Sequence, residues 1–539
     1  LRRQRQMCIR DRCERYLDTS SAPNRMLVMS NTAPPPDSGV AKASTAESCS
    51  SKDVHLPRQA ATDLPESDSG TPAAAAQAPE VSDGSGLNRG LRNRHIQLIA
   101  LGGAIGTGLF YGAADSIGAA GPAILVCYLI GGAVIYLIMR ALGEMSVHRP
   151  TSGAFSEYAH DYWGELPGFV SGWNYWFNYI AVSMAELSVV GIYVNYWFPS
   201  VPSWLSAAVL LVVVTVINLL HVRAYGEFEF WFAIVKVVAI IAMVLLGAWV
   251  IVIGAPSAAP TGVANLWNDG GFFPTGISGV ALGFVVVMFS FGGVELIGIT
   301  AGEATDPRRS IPKAINQVVY RILLFYIAAL FVIVSIVPWR SIDGRSSPFV
   351  QIFDSVGIPA AGTILNIVVL TAAVSAYNSG LYSNGRMLHS LAHQGNAPAV
   401  LGRTSRSGSP WVAVLVSSAM TALAVVLVAV LPDQAFGYIM SIALAAGIIN
   451  WTMIVITQMR FRRRIDPRTR AGLTFTMPGA PVTNWIVLAM LAVTVVIMLT
   501  SPTYRIAIFV GVIWLAILIA AGRLTHRDAD SHDTAGGQS

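Results

Sequence analysis

The chain of 539 residues is 54% hydrophobic and 12% charged, with a mean hydropathy of +0.57, whereas roughly 25% of residues are charged in soluble domains. A soluble globular fold is thereby excluded in favour of a polytopic membrane protein. The formal charge of +5 does not indicate nucleic acid, because the basic residues gather in short connections beside apolar runs, as the positive-inside rule expects.

Residues 1–86 are rich in Ala, Ser, Pro, Asp and Thr without apolar periodicity, the composition of a disordered tail that cannot bury a core. The run Gln6 to Arg12 looks unrelated to the rest of the chain, and Met26 and Met29 are candidate starts. No secretory signal is expected before the first span, whose own hydrophobicity directs insertion. A single membrane domain is expected over 87–524, followed by a disordered tail over 525–539. Twelve spans of about 20 residues, the length that crosses a hydrocarbon core, are expected at 96–117, 122–142, 167–197, 204–221, 229–254, 277–301, 314–338, 360–391, 410–431, 435–458, 483–500 and 504–523.

In span one, glycine takes four of the seven positions from Gly102 to Gly108. Each glycine costs up to about 1 kcal/mol relative to alanine inside a helix, so the sequence predicts an unwound stretch. Its freed N–H and C=O groups need partners that lipid lacks, which restricts such a break to protein or a wet cavity. The backbone amides of Ala104, Ile105, Gly106, Thr107 and Gly108 then open the second half of the span, where the half-helix dipole favours an anion such as an amino-acid carboxylate. The competing structural explanation is that these glycines only permit close helix packing.

Span three carries Glu186 and the aromatics Trp173, Tyr175, Trp176, Phe177 and Tyr179; the aromatics are expected as an interfacial belt. Span five carries Lys236, and an intramembrane lysine is a functional candidate by default because amines can lose and regain a proton in low dielectric. Snorkelling to the interface is the alternative. Span six is broken like span one, with Phe289, Ser290, Phe291, Gly292, Gly293 and Glu295 at mid-membrane. Glu295 is the expected partner of Lys236, and Glu186 a separate protonatable group. Span eight presents Ser375, Tyr377, Asn378 and Ser379 in an apolar run, polar enough to face a central cavity. At the cytoplasmic ends, Glu144 with Arg140 and Glu303 with Arg308 are expected to hold loops or an inner gate.

Arg89, Arg92 and Arg94 precede span one, and the connections after even-numbered spans carry most remaining arginines, among them Arg308, Arg309 and Arg460 to Arg464 apart from Phe461. Those connections and both termini are therefore expected on the cytoplasmic side. Spans one and six then enter from opposite sides, which fits two five-span halves of inverted topology. Cys8, Cys13 and Cys49 lie in the polar tail and Cys127 alone in an apolar run, so neither a disulfide framework nor a metal site is indicated. No P-loop is present. No cofactor and no enzymatic activity are expected; the oligomeric state is left open.

The segments LRNRHIQLIA at 91–100, RALGEM at 140–145, GEFEFWFA at 226–233 and SIPKAIN at 310–316 resemble a bacterial amino-acid permease of the amino acid/polyamine/organocation superfamily, over nearly all of 87–522. The resemblance implies an all-α, leucine-transporter-like 5+5 inverted repeat of twelve helices with helices one and six broken. It also implies a secondary active transporter in the bacterial cytoplasmic membrane, taking an amino acid and a proton as partners. SGWNYW at 171–176, MAEL at 184–187 and QVVYRIL at 317–323 are most similar to the aromatic amino-acid permeases. Permeases for proline, histidine or small neutral amino acids share most segments and are the alternative, with a non-transporting amino-acid sensor behind them. By resemblance, carbonyls around Phe289, Ser290 and Phe291 take the substrate ammonium with Phe291 closing as a gate. By the same resemblance, Lys236 stands where sodium-coupled relatives hold a sodium ion, which implies proton coupling.

Overall fold

Inside a bilayer every backbone donor and acceptor must be met within the segment or by protein, so apolar runs of this length resolve into helices. The computed structural model describes residues 105–536 except 152, 221, 254–261, 302–305, 343–346, 356–358, 406–407 and 433; side chains of 220–228, 300, 353–361 and 526–536 are also outside the description. The tail at 1–86, the first half of span one with Gly102, Gly103 and Ala104, and Glu303 therefore lie outside the described residues.

Among the described residues all regular structure is helical: α1 Thr107–Phe110, α2 Gly112–Ala120, α3 Ile124–His148, α4 Ala154–Tyr162, α5 Glu165–Asn195, α6 Ser203–Leu220, α7 Val222–Ile253, α8 Asn265–Asn268, α9 Gly276–Ser290 and α10 Leu296–Thr300. There follow α11 Pro307–Arg321, which continues through a π-helical stretch at Ile322–Ala328 into α12 Ala329–Ile336, then α13 Pro348–Ser355, α14 Pro359–His393, α15 Trp411–Thr421 and α16 Leu423–Val430. The last are α17 Ala435–Arg464, α18 Pro467–Ala471, α19 Val482–Thr500 and α20 Pro502–Gly536. The helical assignment of α20 passes position 524, where the membrane domain was expected to end.

Nine helical stretches among the described residues are long and apolar enough to cross a membrane, and Ser203–Leu219 and Gly276–Ser290 are shorter apolar helices. Two expected spans, the end of the first and the second, run together as Gly112–His148, through a turn at Gly121 whose φ of 60° suits glycine. The chain is a multi-pass membrane protein, helical in all the regular structure of its described residues.

Burial sorts the helices into a centre and a rim. About three quarters of the most apolar windows of α5, α14 and α17 are buried inside the protein, against less than a third for α7, α19 and α20. The central α5 packs along both α14 and α17, and α2 packs against α9, so the two broken spans face each other. Buried amides join α5 to α17: Asn174 Nδ2 donates to Asn450 Oδ1 at 2.7 Å, and Asn178 Nδ2 to the Ala443 carbonyl at 2.6 Å. The outer helices turn apolar side chains such as Val252, Phe509 and Val512 outward, as contact with lipid tails requires.

At the expected cytoplasmic side, Glu144 is fully buried and receives four hydrogen bonds. Arg462 Nε and Nη2 donate at 2.6 and 2.7 Å, Gln458 Nε2 at 3.0 Å and the Met477 amide at 2.7 Å. The expected pairing of Glu144 with Arg140 is thus corrected. Arg140 bonds the Thr476 carbonyl and lies over the Phe475 ring, because the segment before α19 passes between α3 and α17 and brings other partners to both.

Candidate functional site

The chain leaves α9 at Ser290, passes through turns and re-enters a helix at Leu296. Gly293 sits there at φ 95°, a backbone state that L side chains rarely adopt. The described part of span one opens on the extended Gly106 that caps α1, with φ −127° and ψ −155°. The two breaks touch. A Cβ added to Gly108 would stand 2.8 Å from the Cα of Ser290, and one added to Gly106 would meet the Glu186 carboxylate and stand 3.1 Å from the Ala376 Cβ. The glycines therefore serve close approach as well as unwinding.

Where the breaks meet lies a small cavity of about 30 Å³. Gly106, Gly108, Phe289, Ser290, Gly292 and Gly293 line it from the broken spans, Tyr179, Val182 and Glu186 from α5, Leu296 from α10 and Ala376 from α14. Its walls combine backbone polarity, one carboxylate and an apolar side. The Thr107 amide donates to both Glu186 oxygens at 3.2 Å. Glu186 thus satisfies a backbone donor that the break has freed, in the place where the sequence predicted a substrate carboxylate.

The carbonyl side of the breaks is met from behind. Ser290 Oγ donates to the Gly108 carbonyl at 2.7 Å and accepts from Tyr128 Oη at 3.1 Å. Tyr326 Oη, from the π-helical stretch, donates to the Ser290 carbonyl at 3.2 Å, and the Gly292 amide donates to the Phe289 carbonyl at 2.9 Å. Two of the three expected ammonium acceptors therefore already hold one bond each, although a carbonyl can accept two. Phe291 does not line the cavity. Its ring packs between Tyr128 and Tyr326, at centroid distances of 5.6 and 5.2 Å, and Phe289 faces the cavity instead.

Helical phase explains the other departures. Ala376 faces the cavity, so Tyr377 and Asn378 are carried about 100° and 200° round the helix. Tyr377 is buried in a separate apolar cluster with Leu187, Val214 and Leu381, while Asn378 Oδ1 accepts from Asn218 Nδ2 at 2.8 Å. Ile105 is fully buried in the core, and Ala104 lies outside the described residues. The expected belt in span three is corrected too. Tyr175, Trp176 and Tyr179 are buried, since α5 is central, and Trp176 Nε1 donates to Ser417 Oγ at 3.0 Å.

Lys236 does not snorkel: it is fully buried, and α7 begins at Val222, about two turns before the expected start. Its Nζ donates to Ser375 Oγ at 2.9 Å, and Ser375 Oγ donates to Glu229 Oε1 at 2.7 Å. Glu229 and Glu186 are the carboxylates within electrostatic reach of Lys236. Glu295 is not its partner. The unwound stretch turns Glu295 toward Tyr179 and Trp451 and into the field of the buried Arg321. Sequence reasoning missed Glu229, Arg321, Tyr128 and Tyr326 as site residues. For Glu229 a signal existed, because seven residues are two helical turns and place it on the face of Lys236.

The sequence profile described as "Amino acid permease" matches residues 95–532. The aromatic amino acid transport protein AroP of Escherichia coli K12 is 50% identical over 437 residues, covering 81% of this chain and 95% of that protein. AroP of Salmonella typhimurium LT2 is 49% identical over the same shares. The uncharacterized amino acid permease YtnA of Bacillus subtilis 168 is 48% identical, over 80% of this chain and 94% of its own length.

Proposed function

The chain belongs to the amino acid permease family, and we propose that it is a secondary transporter that imports aromatic amino acids across the bacterial cytoplasmic membrane together with protons. The fold proposed with it has twelve transmembrane helices in a 5+5 inverted repeat, helices one and six broken, and both termini in the cytoplasm. Half identity to AroP proteins over most of both chains supports the substrate class.

The observation that carries the reading is the cavity at the meeting of the breaks. Phe289, Val182, Leu296 and Ala376 offer an apolar wall, and Glu186 and the amides of Gly106, Thr107 and Gly108 a polar one. An amino acid carries both kinds of surface. In this reading the substrate carboxylate replaces Glu186 at the freed amides, and its ring lies against Phe289 and Ala376. Carbonyls of the span-six break and the released Glu186 carboxylate accept the ammonium. Lys236 supplies the coupling charge.

Uptake of labelled L-phenylalanine into cells, competed with a panel of unlabelled amino acids, tests the substrate. Competition by tyrosine and tryptophan is expected. Competition by proline, histidine or alanine alone would replace the aromatic assignment, and absence of uptake of any amino acid would favour a sensor. Gly106→Val is expected to abolish uptake while leaving inserted protein, since its branched side chain would occupy the space of the Glu186 carboxylate.

A further inference from the structure

The hydrogen-bonded chain from Lys236 through Ser375 to Glu229 runs in one direction. Lys236 Nζ donates to Ser375 Oγ at 2.9 Å and the same hydroxyl donates to Glu229 Oε1 at 2.7 Å, with all three side chains fully buried. Glu229 and Lys236 lie seven residues apart on α7, a rise of about 10 Å. Ser375 comes from α14, which packs along α7. Among the described residues, the titratable groups facing Lys236 are Glu229 on its own helix and Glu186 on α5; α14 presents the Ser375 hydroxyl. Glu186 borders the cavity, whereas Glu229 lies toward the end of α7 expected at the cytoplasm. Its second oxygen, Oε2, has no hydrogen-bond partner among the described residues, which leaves an acceptor position for water or a proton.

We propose that Glu229 is the cytoplasm-side proton acceptor of the transport cycle and that Ser375 is the relay that hands it the proton of Lys236. The proposal rests on the reading of Lys236 as the coupling group. In the step, an N–H bond of the Lys236 ammonium breaks and its proton forms a bond to Ser375 Oγ. The hydroxyl proton of Ser375 passes at the same time to Glu229 Oε1. An ammonium and a carboxylate become an amine and a carboxylic acid, so the trio keeps its net charge and no oxidant or reductant is involved. Glu229 then releases the proton to cytoplasmic water. A hydroxyl suits this place because it donates and accepts at once.

The test uses the full chain in proteoliposomes with a radiolabelled mixture of the common L-amino acids, read as accumulation under an inward proton gradient and as counterflow exchange at equal pH. Glu229→Gln and Ser375→Ala are expected to lose gradient-driven accumulation by about tenfold or more, the scale on which a positioned proton-transfer group acts, while counterflow persists. Ser375→Thr, which restores a hydroxyl, is expected to recover accumulation. Accumulation at the wild-type level in Glu229→Gln or Ser375→Ala overturns the relay. Equal loss of both activities in properly inserted Glu229→Gln, or failure of Ser375→Thr to differ from Ser375→Ala, assigns the trio a structural role and overturns it as well. If Lys236→Met is uncoupled while Glu229→Gln is not, only the relay falls; if the wild type ignores the proton gradient, the coupling reading falls with it.

Discussion

Glu144 and Glu229 are both buried carboxylates that stand near a cation, and their surroundings differ. Glu144 is held directly: a guanidinium grips both of its oxygens, and an amide side chain and a backbone N–H also bond one of them. Glu229 meets Lys236 only through the hydroxyl of Ser375 and keeps one oxygen without a partner among the described residues. In low dielectric a charge is tolerated where hydrogen bonds and an opposite charge offset its desolvation. The Glu144 set meets that condition through four direct donors, and so ties α3, α17 and the segment before α19 together as a static joint. The Glu229 set meets it through a group that can pass a proton. A buried glutamate beside a cation thus yields an anchor in one place and a relay in the other, and the number and kind of donors make the difference.

That contrast can be broken by exchanging the phenotypes. The largest effect on transport is expected from Lys236→Met, which keeps a similar shape without charge. It should abolish uphill accumulation in proteoliposomes and retain counterflow in the molecules that stay folded. Glu144→Ala should act on stability and leave coupling intact. Removing one member of a buried ion pair costs about 3 to 5 kcal/mol, so its melting temperature should fall sharply in size-exclusion thermal assays. Molecules that stay folded should accumulate substrate at the wild-type ratio; an uncoupled but stable Glu144→Ala would erase the distinction.

A smaller effect is expected from Tyr326→Phe, which orphans one bond to the Ser290 carbonyl, a loss of about 1 to 3 kcal/mol. Substrate affinity should weaken with the maximal rate nearly unchanged, and Tyr128→Phe should behave alike. The smallest concerns Asp466, the exposed cap of α18, which accepts from the Arg468 and Thr469 amides at 2.9 and 3.0 Å. Its bond to the Thr469 hydroxyl holds the carboxyl below the usual carboxylate range. The folded value lies under the unfolded one, so the cap is fully present above the ordinary carboxylate value and is lost as pH falls through the folded value, below about pH 4. Hydrogen exchange at the two amides should quicken only in that acid range, with transport at neutral pH unaffected by Asp466→Ala.

How much of this site was legible in the sequence depends on which physics is local. Glycine density marked the break in span six and the start of the described part of span one, since unwinding depends on residues adjacent in the chain. Glu186 and Lys236 stood out because charge in an apolar run is costly wherever it lies. Helix phase and choice of partner are not local. Tyr377 and Asn378 share a polar stretch with Ser375, yet one residue of rotation separates the cavity from the interface with α6. Glu144 lies one helical turn from Arg140, but a distant arginine, Arg462, takes it because α17 ends beside α3. Phe291 and Phe289 differ by two positions in a glycine-broken stretch, where no regular period tells which ring faces the cavity. The helical segments were largely legible as apolar runs, although α2 and α3 run on where a boundary was expected.

The most direct measurement is made on the wild-type protein in proteoliposomes, with labelled L-phenylalanine outside and an inward proton gradient imposed in sodium-free buffer. Accumulation above the equilibrium level that collapses when a protonophore is added is the result expected for a proton-coupled aromatic amino-acid importer built around this cavity. Equilibration without accumulation, or accumulation only after sodium is supplied, would contradict it.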